Sequence, residues 1–175
     1  MRSSCVIEHI ENSIRLLITL LEKYTWLRVS RDTLAGIYKV HRISERLCTS
    51  GQPTEGQFQA ICDAGYKAVI NLAPHDAENA LADEATLVTE LGLDYIHIPV
   101  DFSCPTEKDF QQFVSAMSTC SEVRLWVHCA ANMRVSAFVY RYRCDVQGMN
   151  RQEARSDLRR IWEPFGVWKK FVSGA

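Results

Sequence analysis

A cysteine and an arginine lie close together in the stretch LWVHCAANMRVSAFVYRYR, which covers residues 125–143. The stretch opens as an apolar run typical of a buried strand, reaches Cys129, and continues through Arg134 into apolar residues at helical spacing. A strand-to-helix bend collects backbone N–H groups, and the helix dipole adds positive potential, so the bend binds tetrahedral anions and favours thiolate over thiol. We predict that Cys129 is a nucleophile and that Arg134 holds two oxygens of an oxyanion.

The residues between these two side chains would supply the amide groups of the anion-binding loop, namely Ala130, Ala131, Asn132 and Met133, followed by Arg134. Asn132 takes a position where the backbone could need a positive φ, which Asn tolerates better than most residues.

Two neighbouring side chains are candidates for supporting roles. His128 precedes the cysteine on the other face of the strand, and we expect it to orient the loop through hydrogen bonds instead of acting as a base. Ser136 lies one helical turn after Met133 and could donate a hydroxyl hydrogen bond to the sulfur or to a departing group.

The elements that must position this bend alternate between short apolar strands and helices from Gly36 onward. The predicted strands cover residues 36–43, 67–73, 94–100 and 123–129. The predicted helices cover residues 54–64, 76–91, 107–120, 133–146, 150–162 and 163–172. This alternation indicates βαβ units and a largely parallel sheet, in which ligands bind beyond the carboxyl ends of the strands.

Local signals fix several helix ends. Thr54 with Gln57, and Thr106 with Asp109, form two capping-box patterns. Gly65 and Gly92 are expected to end the helices that precede them.

The N-terminal segment differs from the rest of the chain. Its apolar residues recur at spacings of three and four between Val6 and Tyr24, which predicts an amphipathic helix. We therefore divide the chain into a helical appendage, residues 1–33, and a catalytic domain, residues 34–175. The appendage could contact a partner or a second copy of the chain. Its apolar run Leu16–Leu21 is too short to span a bilayer.

Composition narrows the function further. The 175 residues carry a net charge of −1, so we expect neither a nucleic-acid partner nor a membrane-surface role. Seven cysteines form an odd set without a CxxC pair, which argues against a disulfide scaffold and a zinc site and favours the cytoplasm. We expect no metal and no cofactor.

The bend and its flanking segments resemble the protein tyrosine phosphatase superfamily, in its dual-specificity-like branch. TSGQPTEGQFQAICDAGYKAVINL, residues 49–72, resembles an entry segment of compact bacterial and atypical members, and HIPVDFSCPTEKDFQQFV, residues 97–114, resembles their general-acid loop. The resemblance covers residues 36–148 and is closer still to a bacterial phosphatase-like group with relatives fused to metallo-hydrolase or persulfide-oxidising domains.

This resemblance implies a three-layer α/β fold and a two-step hydrolysis of phosphotyrosine-like or small aryl phosphates, on a phosphorylated protein or a small phosphomonoester. Cys129 would form a cysteinyl-phosphate, Arg134 and the loop amides would hold the phosphoryl oxygens, and Asp101 would be the general acid and base. Asp109 and Glu107 are weaker candidates for the acid. His75 and Asp76 could line the mouth of the site.

The loop departs from the superfamily pattern, HCxxxxxR followed by Ser or Thr, because only four residues separate Cys129 from Arg134. Either the loop is one residue shorter and Arg134 keeps its role, or Val135 takes the arginine position and Ser136 the hydroxyl position. The shorter loop also resembles that of rhodanese sulfurtransferases, which carry sulfur as a cysteine persulfide. A third interpretation is a non-enzymatic module that binds anions or phospho-ligands.

Overall fold

The structure is a computed structural model and describes residues 32–174. The predicted N-terminal helix lies outside the described residues, so its existence and its contacts remain predictions.

Five strands form one sheet in the order β1–β2–β5–β3–β4. The strands are β1 (His41–Arg42), β2 (Leu47–Ser50), β3 (Ala68–Asn71), β4 (Asp94–His97) and β5 (Leu125–His128). Only β1 runs antiparallel to its neighbour, and the other pairings are parallel. The prediction of a largely parallel sheet is therefore confirmed.

Six α-helices and a 3₁₀ turn surround the sheet in the described part of the chain. The turn covers Leu34–Gly36, and the helices are α1 (Glu55–Asp63), α2 (Glu84–Glu90), α3 (Glu107–Thr119), α4 (Met133–Arg141), α5 (Arg151–Ile161) and α6 (Val167–Ser173). A π-helical turn, Tyr142–Val146, continues α4. The predicted helix over residues 133–146 is thus present, with a wider last turn.

Each face of the sheet packs against its own set of helices, which makes three layers. On one face, Val69 and Trp126 pack with α1 and α2 through Phe58 and Val88. On the other face, residues of β3 and β5 pack with α3, α4 and α6 through a large apolar cluster that includes Phe138. Helix α5 packs outside α4. This arrangement follows from strands that are apolar on both faces.

The sequence signals for helix ends are confirmed. Both capping boxes form, with Thr54 and Thr106 each accepting a hydrogen bond from the backbone of the residue three positions later. Gly65 and Gly92 have φ angles of 83° and 75°, a conformation that glycine adopts without steric cost.

Two predicted elements are wrong in extent. The strand over residues 36–43 is reduced to His41–Arg42, because the carbonyl groups of Tyr38 and Lys39 bind Gly51 and Asn132 instead of a neighbouring strand. The helix over residues 76–91 is reduced to Glu84–Glu90. Its first part forms turns instead, in which the Asn79 side chain donates a hydrogen bond to the Ala130 carbonyl group.

The sequence interpretation also missed β2, a central strand of the sheet. Its residues Cys48, Thr49 and Ser50 are buried although two of them are polar, so the strand lacks the apolar run that marks its neighbours. The Ser50 hydroxyl accepts a hydrogen bond from the Trp126 indole at 2.9 Å, which lets this polar side chain lie inside the protein.

None of the helices in residues 32–174 combines the length and apolar character that a membrane span needs. In the same range, no group of three or more His, Cys, Asp and Glu side chains is placed to hold a metal ion.

Candidate active site

The carboxyl ends of the parallel strands meet directly before the Cys129 bend. The strand register aligns Ser50 of β2 and Asn71 of β3 with His128 of β5. Cys129 follows His128, is 1% exposed, and donates its backbone N–H to the Ser50 carbonyl oxygen at 3.3 Å. The nucleophile predicted from sequence therefore lies at the ligand-binding edge of the sheet.

The segment after β2 and the loop after β3 hold the bend from outside. The Ala130 carbonyl oxygen accepts hydrogen bonds from the Gln52 backbone N–H at 3.3 Å and from Asn79 Nδ2 at 3.0 Å. Gly51 makes the close approach possible, because a Cβ atom there would lie 3.0 Å from the Ala130 oxygen and 2.8 Å from Cδ1 of Tyr38. These contacts bind the Ala130 carbonyl group to the two segments beside the loop.

Asn132 sets the turn of the bend. It is fully buried and has φ 60°, so the expected positive φ is confirmed. Its Nδ2 donates to the Lys39 carbonyl oxygen at 2.8 Å and to Thr49 Oγ1 at 3.1 Å. Lys39 itself has φ 48°, so two non-glycine residues in the left-handed region are joined by one hydrogen bond. Strained residues of this kind concentrate at functional sites.

The backbone donors of the loop are open. Helix α4 begins at Met133, and Asn132, although it is the N-cap residue, makes no side-chain cap because its amide group binds elsewhere. Within the described part of the chain, the backbone N–H groups of Ala130, Ala131, Met133 and Arg134 have no protein acceptor. Four donors at the N-terminus of α4 are therefore available to an anion beside Cys129.

Arg134 lies in the first turn of α4 and adds a further donor. Its Nε is buried and has no hydrogen-bond partner, and its Cζ lies 5.3 Å from the centre of the Phe102 ring. Among residues 32–174, no carboxylate forms an ion pair with Arg134. Val135, by contrast, is fully buried in the apolar core, which favours the alignment in which Arg134 keeps the arginine role.

Asp101 lies next to Phe102, in the loop that follows β4. Its Oδ1 accepts hydrogen bonds from the backbone N–H and the hydroxyl group of Ser103, both at 2.8 Å. These bonds, assisted by the nearby charge of Arg134, hold the pKa of the exposed Asp101 carboxyl below its usual value.

An aromatic cluster fixes this loop against the C-terminal helices. Trp168 Nε1 donates to the Phe102 carbonyl oxygen at 2.8 Å, and the Phe102 ring packs against Trp168 and Trp162 at 5.2 and 6.0 Å between ring centres. The sequence interpretation gave none of these three aromatic residues a role at the site. For Trp162 and Trp168, the sequence signal was the cluster of aromatic residues near the C-terminus.

Ser136 is placed differently from the sequence expectation. Its hydroxyl group donates to the Met133 carbonyl oxygen at 3.0 Å and accepts from Trp162 Nε1 at 3.1 Å. In this arrangement its proton is bound to the backbone of α4, and the serine links α4 to the aromatic cluster.

A buried carboxylate lies behind the nucleophile and was also missed. Glu84, the first residue of α2, has Oε1 at 3.1 Å from Nε2 of the fully buried His128, an ion-pair distance without the alignment of a good hydrogen bond. Glu84 also accepts hydrogen bonds from Asn71 Nδ2 at 2.7 Å, from the Tyr95 hydroxyl group at 2.8 Å and from Gln52 Nε2. Burial raises the pKa of Glu84, but its contacts with His128, Gln52 and Tyr95 outweigh burial and lower it to about 2.

The remaining candidates have other contacts. Glu107 pairs with Arg141 at 3.0 Å, and Asp109 closes the capping box of α3. His75 and Asp76 are exposed, and the His75 ring lies 4.1 Å from the ring of His97. Both carboxylates therefore take part in contacts at the start of α3.

The parallel sheet, the cysteine beyond its central strand and the open amides of the next helix define the chain as a phosphatase-like α/β protein. A family model described as "DSP-PTPase phosphatase fused to NAD+ Kinase" matches residues 24–166. The chain belongs to this family of dual-specificity-like phosphatases within the protein tyrosine phosphatase superfamily.

One similar solved structure supports the family, and a more distant one supports the fold. A DUF442-family candidate phosphatase from Shewanella putrefaciens CN-32 is 34% identical, with a TM-score of 0.73 over 82% of this chain and 95% of that one. A candidate phosphatase from Neisseria meningitidis Z2491 shares the fold at 18% identity, with a TM-score of 0.61 over 76% of this chain and 95% of that one.

A beta-lactamase hydrolase-like protein from Xylella fastidiosa Temecula1 is 37% identical over 105 residues. The match covers 55% of this chain and only 23% of that protein, so this chain spans about a quarter of the length of the relative.

Proposed function

We propose that this chain is a cysteine-dependent phosphatase that hydrolyses phosphotyrosine-like or small aryl phosphate monoesters through a cysteinyl-phosphate. The observation that carries the proposal is the set of donors around Cys129 that have no protein acceptor in the described residues, namely four amides and Arg134 Nε. Such a set matches the charge on the equatorial oxygens of a transferring phosphoryl group.

In the first step the Cys129 sulfur attacks phosphorus, and the bond from phosphorus to the aryl oxygen breaks. The departing oxygen takes the electron pair and a proton from Asp101. In the second step water attacks phosphorus and gives a proton to Asp101, the sulfur–phosphorus bond breaks, and inorganic phosphate leaves. Arg134 and the loop amides hold the phosphoryl oxygens throughout.

The preference for aryl groups is supported by the surroundings of Arg134. Its guanidinium lies against Phe102, which packs on Trp162, and Trp162 packs on the exposed Phe165 at 5.6 Å between ring centres. The loop sequence AANM has no additional cation for a highly phosphorylated ligand. An aromatic leaving group would therefore find apolar surface beside the phosphate position.

The proposal is tested by phosphate release from 4-nitrophenyl phosphate and from a phosphotyrosine peptide. Cys129→Ser should abolish turnover, since the hydroxyl is a far weaker nucleophile than a thiolate. Cys62→Ser is the matched control, because Cys62 is a free thiol on α1, away from the loop and from Asp101. Turnover that survives Cys129→Ser would refute the proposal.

A rhodanese-like sulfurtransferase is the second candidate, and the short loop favours it. With only four residues between Cys129 and Arg134, the loop offers a smaller space, which suits a single sulfur atom. The sulfane sulfur of thiosulfate would pass to the Cys129 thiolate with release of sulfite, and cyanide would then take it as thiocyanate. Cys129-dependent thiocyanate production without phosphate release would favour this activity.

A binding module without turnover is the remaining alternative. It predicts that phosphate protects Cys129 from alkylation although neither phosphate esters nor thiosulfate are consumed.

For the phosphatase, we propose a cytoplasmic location, which fits the free thiols of the described cysteines. We propose a phosphorylated protein or a small phosphomonoester as its substrate.

A further inference from the structure

We propose that Glu84 is a positioning residue for the nucleophile, acting through His128 and Gln52 on the backbone that carries Cys129. The kinetic part of this inference rests on the proposed phosphatase function. The reactivity of the Cys129 thiol toward an alkylating agent tests it independently.

The carboxylate of Glu84 joins four neighbouring chain segments. Gln52 follows β2, Asn71 ends β3, Tyr95 lies in β4, and His128 ends β5. Glu84 accepts hydrogen bonds from the first three side chains and lies 3.1 Å from Nε2 of the fourth. These are the segments whose carboxyl ends form the floor under the Cys129 loop.

Two of these partners are connected directly to the Cys129 loop. His128 is covalently bonded to Cys129, and the Gln52 backbone N–H donates to the Ala130 carbonyl oxygen. Through these two partners, Glu84 restrains the loop on both sides of the nucleophile. Asn71 Oδ1 also accepts the backbone N–H of Ala73 at 2.7 Å, which holds the start of the segment after β3.

Burying the Glu84 carboxylate beside His128 costs free energy, which favours a functional role for this pair. Glu84 is 6% exposed and His128 is 0% exposed, and an uncompensated charge in such a site is strongly unfavourable. Among the ion pairs of residues 32–174, His128 pairs with Glu84, and the Phe58 ring lies 5.6 Å from the imidazole. The orientation of the imidazole thus depends on Glu84.

The test compares Glu84→Gln with wild type and with Glu90→Gln, an exposed residue of the same helix. Glutamine keeps the size of the side chain, but it removes the charge and turns an acceptor into a donor. We expect iodoacetamide to alkylate Cys129 at least tenfold more slowly in Glu84→Gln, and kcat to fall at least tenfold with KM changed less than threefold. Glu90→Gln should match wild type in all three quantities.

A double-mutant comparison with His128 distinguishes a positioning role of Glu84 from a general effect on stability. In a His128→Gln background, adding Glu84→Gln should slow alkylation by a clearly smaller factor than in wild type, because only the connection through Gln52 remains. An undiminished effect in that background would overturn the proposal. So would wild-type alkylation and kcat in a folded Glu84→Gln protein.

A milder variant covers the case in which Glu84→Gln fails to fold. Tyr95→Phe removes one hydrogen bond to Glu84 and leaves its charge in place, and it should slow alkylation of Cys129 about threefold, as expected for the loss of one weak hydrogen bond. An unchanged rate would overturn the proposal. If wild type releases no phosphate from aryl phosphates, the phosphatase function fails, while the alkylation rates still decide the role of Glu84.

Discussion

At the scale of single residues, the contacts of Asp101 and Gly51 lead to two predictions. Asp101 is exposed and bound to Ser103, beside the ring that lies against Arg134. Gly51 lies where a methyl group would meet the Ala130 carbonyl oxygen and the Tyr38 ring. One residue is expected to move a proton, and the other gives the backbone room to hold the loop.

Asp101→Asn should slow hydrolysis of phenyl phosphate about 100-fold, because the poor leaving group needs a proton from the acid. For an ester with a strongly acidic phenol, the loss should be about tenfold or less. The measurement is kcat for a series of aryl phosphates, with Asp63→Asn as an exposed control. Equal losses across the series would remove Asp101 from the acid role.

Gly51→Ala should destabilise the folded state by about 1–3 kcal/mol, since the added methyl group overpacks a site bounded by backbone. The same change should lower kcat, because it pushes on the carbonyl group of Ala130 in the nucleophile loop. Urea unfolding and aryl phosphate kinetics measure the two effects. Tyr38→Ala should relieve part of the cost, and a neutral Gly51→Ala would contradict the close approach.

At the scale of elements, helix α6 stabilises the loop that carries Asp101, although the two segments are far apart in the sequence. Trp168 of α6 packs in the core with Phe138 and Phe171 and donates to the Phe102 carbonyl oxygen. The last helix therefore stabilises both the apolar layer and the segment that carries Asp101.

Trp168→Phe should cost about 2 kcal/mol in the free energy of unfolding, since it removes a buried hydrogen bond and leaves unfilled space. It should also reduce kcat more for phenyl phosphate than for esters with good leaving groups, because the loop of the acid loses its anchor. Val167→Ala, a change at an exposed position of the same helix, is the control. A stable variant with unchanged kinetics would show that α6 does not support the loop.

At the scale of the whole molecule, Glu84 links folding to pH. Its pKa of about 2 in the folded state lies below the ordinary value of 4.5, so the carboxylate form stabilises the fold. A lowered pKa contributes stability that is complete above the unfolded value and is lost as the pH falls toward the folded value. The sensitive window is therefore from about pH 4.5 down to about pH 2.

In this window the wild-type free energy of unfolding should fall by an amount on the order of 2–3 kcal/mol attributable to Glu84. Glu84→Gln should be less stable at neutral pH and should show a correspondingly flatter decline, whereas Glu90→Gln should follow wild type. Chemical unfolding at a series of pH values measures this. Parallel curves for Glu84→Gln and wild type would contradict the linkage.

The sequence by itself determined the features that depend on neighbouring residues. The pattern of residues 125–143 predicted the β5 strand, the bend and α4, and Thr54 and Thr106 predicted two helix starts, because backbone periodicity and capping act over a few residues. The positive φ of Asn132 belongs to the same group.

Only the tertiary structure decided the features that join distant segments. Trp168 binds Phe102 across 66 residues and Asn132 binds Thr49 across 83, and Gln52, Asn71, Tyr95 and His128 meet at Glu84. The polar strand β2 and the turns near Asn79 follow from the same contacts. Hydrogen bonds and burial of this kind exist only after the sheet has brought its strand ends together. For this reason, no pattern of neighbouring residues predicts them.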